Sequence, residues 1–130
     1  MEKKKLDSRI KEEMTVDYEN VLEKNFDVAK EFIRITSTGT IDVLGKEKFI
    51  GIEKILLYFI GKVYAKEAGL SDSEFTSHKE LCQELGIVKG SVLPWVKKLR
   101  DEGKLDVKKG KHAIKVNYIE SILKKLSEKK

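Results

Sequence analysis

Apolar residues recur every three or four positions in several parts of the chain, which is the spacing of an amphipathic α-helix. The first part predicts a helix over about 17–33, with Thr15 as a candidate N-cap. The second part, residues 49–68, is the most apolar stretch, and we expect this helix to be buried over more than half of its circumference. Gly61 lies inside it and costs about 1 kcal/mol relative to Ala. We therefore expect a close contact with another helix at Gly61.

The third part, residues 117–126, starts with Asn117 as a candidate N-cap and has Glu120 at the third helical position. A helix of about ten residues is too short to be stable alone in water, so we expect it to dock on its own domain or on a partner subunit. Near the N-terminus, the apolar residues are four positions apart and permit only a frayed helix: Leu6, Ile10 and Met14.

Two short stretches rich in β-branched residues indicate strands. Residues 40–44 alternate and predict a strand, and residues 34–36 are a candidate partner for it in a hairpin. This pairing leaves the end of the preceding helix open. Residues 74–76 are a candidate for a third, very short strand.

Two further helices joined by a glycine turn are predicted between residues 77 and 103. Ser77 followed by Glu80 is a capping box, so a short helix is expected to start there. Gly86 supplies the left-handed residue that ends this helix. After this turn, four apolar residues repeat at helical spacing and predict the second helix: Val92, Trp95, Val96 and Leu99.

Pro94 restricts where the second of these helices can begin. Proline has no N–H and clashes with the carbonyl four residues back, so it is tolerated only in the first helical turn. We therefore expect the helix to begin near residue 90 or 91, and Trp95 to be half-buried against the core.

A strand, a basic glycine turn and a second strand follow, at residues 104–107, 108–111 and 112–116. Residues 74–76 are expected to pair with this hairpin. In this order, the elements between residues 74 and 116 resemble the winged helix-turn-helix family of DNA-binding domains, of the type found in prokaryotic and archaeal transcriptional regulators. The segments that carry the resemblance are residues 76–81, 85–87 and 99–105.

The resemblance implies an α+β fold that is mainly α with a small β-hairpin wing. Residues 1–45 would form an N-terminal helical extension with a short strand, and residues 46–130 the winged helix-turn-helix domain with a C-terminal helix. In such domains the second motif helix enters the major groove and the wing contacts phosphates. The candidate DNA-binding residues are Lys79, Lys89, Ser91, Leu93, Lys97, Lys98, Arg100, Lys108, Lys109, Lys111 and His112.

The distribution of charge agrees with double-stranded DNA as a partner. The chain carries a net charge of +5, but residues 89–130 contain 13 Lys/Arg against 5 Asp/Glu, a balance of +8. Residues 1–45 have 8 Lys/Arg against 10 Asp/Glu. A polyanion would therefore meet the C-terminal part of the molecule.

The sequence contains no recognisable catalytic motif. Its two His and one Cys are not at metal-ligand spacing, and no glycine-rich phosphate loop is present. We expect no enzymatic activity, cofactor, metal or small-molecule substrate, and we expect Cys82 to be a small core residue. There is no run of eighteen apolar residues and no signal peptide, so a cytoplasmic protein without a membrane span is expected.

Two alternatives remain open. Leu93, Pro94 and Trp95 stand where related proteins often carry base-reading polar residues, so the domain is alternatively a protein-interaction module. The apolar face of residues 17–33 either packs on its own domain or forms a homodimer. In the dimer, four side chains would lie near the axis: Tyr18, Leu22, Phe26 and Phe32.

Overall fold

The computed structural model of this chain describes residues 2–14 and 17–128. These residues form seven α-helices: α1 Glu2–Glu13, α2 Tyr18–Lys24, α3 Phe26–Phe32, α4 Gly51–Glu67, α5 His78–Leu85, α6 Lys89–Asp101 and α7 Ile119–Ser127. The strands pair as two antiparallel hairpins: β1 Ile33–Ile35 with β2 Ile41–Val43, and β3 Leu105–Lys108 with β4 Lys111–Ile114. The expected α+β class, mainly α, is confirmed.

Helix α4 is the centre of the fold, and its predicted length and burial are confirmed. Ile55, Leu57 and Phe59 are fully buried, and the helix packs against both hairpins and against α5, α6 and α7. Gly61 does have a close neighbour, because a Cβ there would lie 2.5 Å from the Cγ2 of Ile41. The neighbour is the β1–β2 hairpin, however, and the expectation of a helix at that place was wrong.

The helix predicted over residues 17–33 is broken into α2 and α3. The break lies at Asn25, which is buried and has non-helical dihedral angles, φ −100° and ψ 5°. Its Nδ2 donates to the carbonyl of Val21 at 2.8 Å, and the same carbonyl accepts from the Asn25 backbone N–H at 3.2 Å. The N-cap of α2 is Asp17, whose side chain accepts from the N–H of Asn20 at 3.1 Å. Thr15, the predicted cap, lies outside the described residues.

The apolar face of α2 and α3 packs on the same chain. Leu22, Ala29 and Phe32 belong to one core cluster with α4, and the Tyr64 hydroxyl donates to the carbonyl of Leu22 at 2.6 Å. Two of the four residues expected near a dimer axis, Leu22 and Phe32, are thus buried within the monomer. Tyr18 and Phe26 remain about half exposed.

Helix α7 docks on its own domain through Ile119, Ile122, Leu123 and Leu126, all of which are buried. Its predicted start was wrong. Residues 116–118 form a 3₁₀ turn in which the Tyr118 N–H donates to the Lys115 carbonyl, so Tyr118 takes the N-cap position and α7 begins one residue later than Asn117 as N-cap would require. Glu120 makes an ion pair with Lys24 at 3.2 Å.

The β3–β4 hairpin has the predicted form, a strand on either side of a basic glycine turn. Lys109 and Gly110 both have positive φ, 51° and 78°, as a two-residue turn of the primed type requires. The predicted third strand is reduced to one bridge, in which the backbones of Thr76 and His112 exchange hydrogen bonds of 2.7 and 2.9 Å.

Helix α1 carries two residues of the N-terminal apolar stripe, Leu6 and Ile10, and Met14 directly follows the helix; all three side chains are exposed. None of the helices in the described part of the chain combines the length and the apolar character needed to cross a bilayer.

Candidate nucleic-acid interface

The pair of helices α5 and α6 is held against α4 by a polar contact that the sequence did not predict. Ser77 caps α5 as expected, with its Oγ accepting from the Glu80 N–H at 3.1 Å. The Glu80 carboxylate, however, accepts from the Tyr58 hydroxyl at 2.6 Å and lies 3.3 Å from the Lys62 ammonium. Burial and then the hydrogen bond to Glu80 raise the pKa of Tyr58. The capping-box glutamate therefore fastens α5 to α4.

Helix α6 buries Val92, Val96 and Leu99, as predicted. It begins at Lys89, one or two residues earlier than expected, so Pro94 lies in the second turn. Because Pro94 has no N–H, the Gly90 carbonyl lacks its helical donor. Both residues are exposed, so water can hydrogen-bond this carbonyl.

The phase of α6 divides the candidate residues into two groups. With 3.6 residues per turn, the flank that faces α5 and the hairpin carries Lys89, Leu93, Lys97 and Arg100. Consistent with this, burial and then the charges of Arg100 and Lys89 lower the pKa of His78. The opposite flank carries Ser91 and Lys98, and Lys98 lines a groove with Ile50 and Leu126.

Lys79 of α5 joins the first group. An open groove of about 650 Å³ is bounded by Lys79, Lys89 and Gly110 of the hairpin turn. The three hairpin cations, Lys108, Lys109 and Lys111, are exposed. The ammonium of Lys108 lies 5.9 Å from the ring centroid of Phe75, an aromatic contact that the sequence did not predict.

Most of these cations have no acidic partner. Among the described residues, Lys97 pairs with Asp101 at 3.0 Å. In that same part of the chain no ion pair involves Lys79, Lys89, Arg100, Lys108, Lys109 or Lys111. We name these six residues the basic surface.

His112 does not belong to this surface, and its expected place at the surface was wrong. Its side chain is only 3% exposed, because β4 is the inner strand, which packs on α4 and pairs with Thr76. Its ring lies 5.2 Å from that of His78, and burial, His78 and Arg100 lower its pKa. Within the described residues, neither the His112 Nε2 nor the Thr76 Oγ1 has a hydrogen-bond partner.

The described residues contain no group of three His, Cys, Asp or Glu side chains placed to hold a metal ion. Cys82 is half-buried against the core, as expected. No protein-family model matches this sequence, and neither a curated protein nor a solved structure shows a significant match to it.

Proposed function

We propose that this chain is a non-enzymatic protein that binds double-stranded DNA through a winged helix-turn-helix architecture, as a transcriptional regulator or chromosomal factor. The observation that carries the proposal is the basic surface. It consists of six cations without acidic partners, on two helices joined by a glycine turn and on the hairpin that follows them.

In this proposal, α6 enters the major groove with its Lys89–Arg100 flank towards the bases. Lys89, Lys97 and Arg100 donate to base edges or phosphates, and Leu93 makes an apolar contact with a thymine methyl group. Lys98 and Ser91 lie on the other flank and are less favourably placed.

The hairpin cations contact phosphates on one side of the groove. Lys79 contributes a further phosphate contact near the start of α5, where the helix dipole also favours an anion. Phosphate contacts of this kind position a protein on DNA but do not select a sequence.

The salt dependence of affinity tests the proposal. A fluorescein-labelled random-sequence duplex is titrated with the protein at about 50 and 200 mM salt, and binding is followed by anisotropy. Six phosphate contacts predict a slope of about −5 in log K against log salt, which is a loss of roughly 10³ in affinity over this range. Absence of binding at low salt, or an affinity insensitive to salt, would contradict it.

A protein-interaction module is the second candidate. Leu93 and Trp95 differ by about 200° around α6, so the three apolar residues 93–95 do not form one surface. Ile50 is 61% exposed, and the adjacent Gly51 lies against the Trp95 ring. An apolar partner at Ile50 and Trp95 would bind with little dependence on salt, which distinguishes the two functions.

A further inference from the structure

An open groove of about 460 Å³ lies between the α2–α3 segment and the C-terminal half of α4. Its floor is apolar and includes Phe26 and Tyr64. Its rim carries four carboxylates: Glu19, Glu23, Asp27 and Glu67. We call this feature the acidic groove. The sequence does not reveal this groove, because its two sides are about forty residues apart in the chain.

The carboxylates of the acidic groove are available to a ligand. Glu19, Glu23 and Glu67 are exposed, and in the described part of the chain none of them makes an ion pair. Asp27 has only Lys30, at 3.7 Å, and remains 92% exposed. This face is therefore acidic although the whole chain carries a net charge of +5.

The acidic character extends beyond the groove to Tyr18. Burial raises the pKa of the Tyr18 phenol, and the charges of Glu74, Asp106 and Glu67 raise it further. These three carboxylates come from α4, from the loop before α5 and from β3. Glu67 belongs to the acidic groove as well, so carboxylates lie near both of the exposed aromatic rings, Tyr18 and Phe26.

The aromatic floor is suited to a cation with an aliphatic stem. Phe26 is 51% exposed, and its ring lies 6.4 Å from that of Tyr64. The ammonium of Lys30 is already 5.3 Å from the Phe26 ring centroid, so this ring can accept a cation. A Lys or Arg side chain can lay its methylene groups on such rings and place its charge among carboxylates.

Charge decides between the potential occupants. A two-fold dimer through this face would bring Glu19, Glu23 and Asp27 against copies of themselves or of each other, and like charges at an interface are costly. Nucleic acid is repelled for the same reason. A cationic partner is attracted both by the carboxylates and by the aromatic rings.

We propose that the acidic groove docks a Lys/Arg-bearing peptide segment of a partner protein, with an apolar residue of that segment seated on Phe26 and Tyr64. The proposal does not rest on DNA binding, since the acidic groove and the basic surface share no residue. If the basic surface binds DNA and the acidic groove docks such a segment, the protein links DNA to a basic protein.

The test uses the full-length protein and a synthetic peptide in which two leucines lie between two pairs of lysines. Titration calorimetry should give a dissociation constant below about 1 mM, and backbone amide signals should shift at residues 19–27 and 64–68. A peptide with glutamates in place of the lysines should not bind. Absence of binding by the lysine peptide, or amide shifts elsewhere, would overturn the proposal.

Matched variants separate docking from general attraction. Glu23→Gln with Glu67→Gln removes two charges from the groove, whereas Glu84→Gln with Glu128→Gln removes two from exposed positions outside it. The first pair should weaken peptide binding about tenfold with an unchanged thermal melt, and the second should leave it unchanged. If both double variants weaken peptide binding equally, the proposal is overturned. It is also overturned if sedimentation shows a dimer of the wild type that only the Glu23→Gln, Glu67→Gln variant disrupts.

Discussion

Tyr58, Glu80 and Lys62 show how single side chains position the candidate interface. The Glu80 carboxylate joins the start of α5 to α4 through a 2.6 Å hydrogen bond from Tyr58 and an ion pair with Lys62, whose side chain is mostly buried. Hydrogen bonds to charged groups in such surroundings contribute more than those at the surface. The orientation of α5, and with it Lys79, therefore depends on this contact.

Removing the Tyr58 hydroxyl is expected to destabilise the protein. Tyr58→Phe deletes a hydrogen bond to a carboxylate and should lower the free energy of unfolding by about 1.5–3 kcal/mol, measured by urea denaturation. Tyr18→Phe, at an exposed phenol, is the matched control and should have little effect. Equal stability of the Tyr58→Phe variant and the wild type would show that this contact is not stabilising.

The contact between the buried His112 and the half-buried His78 predicts how stability depends on pH. The pKa values of His78 and His112 are both lowered from the ordinary 6.5, so the folded state keeps them neutral while the unfolded state binds protons near that pH. Their contribution to stability is thus complete above pH 6.5 and is lost as the pH falls below it. His112→Leu should flatten the decline in unfolding free energy between about pH 7.5 and 5.5. Parallel curves for variant and wild type would contradict this account.

At the scale of elements, the spacing of apolar residues predicted the helices well where one face is buried throughout. Helix α4 and the buried side of α6 follow directly from periodicity. The N-terminal helix breaks at Asn25, whose side chain donates to a backbone carbonyl four residues back, and Gly61 faces a hairpin. Neither outcome follows from periodicity. The first involves a polar side chain that bonds its own backbone, and the second depends on which element lies opposite.

Gly61 of α4 and Gly90 of α6 should respond oppositely to alanine. At Gly61 an added Cβ would lie 2.5 Å from the Ile41 side chain, whereas at Gly90 there is open space. Gly61→Ala should therefore destabilise by about 1–3 kcal/mol through overpacking, and Gly90→Ala should stabilise by up to about 1 kcal/mol through helix propensity. Thermal denaturation of the two variants measures the difference. A stabilised Gly61→Ala would disprove the close packing of β1–β2 on α4.

At the scale of the whole molecule, one core cluster includes residues from both parts of the chain. Leu22, Ala29, Phe32 and Ile33 pack in the same cluster as α4, α6 and α7. Deleting residues 1–36 would remove these four side chains and should prevent stable folding. Deleting residues 1–14 removes only α1, whose described apolar side chains are exposed, and should leave the melting temperature nearly unchanged. A cooperative melt after the longer deletion would contradict the shared core.

The charge of the molecule was only partly predictable from its sequence. The excess of Lys after residue 88 is visible in the sequence, and it indicated the second motif helix and the hairpin that follows it. The sequence did not show which flank of α6 faces the hairpin, or that β4 is the inner strand. Lys98, Ser91 and His112 were therefore counted among the DNA-binding candidates, although they lie outside the basic surface. The acidic groove could not be predicted, because it forms only when α2 and α3 fold over α4.

The salt dependence of DNA binding by a hairpin variant tests the central claim most directly. Lys108, Lys109 and Lys111 are replaced together by Ala, and a control variant replaces the exposed Lys48, Lys66 and Lys124. The account predicts that the hairpin variant binds all duplexes more weakly, with a salt slope shallower by about three units, and that the control keeps the wild-type slope. A hairpin variant with the wild-type affinity and slope would contradict the claim that this surface binds DNA.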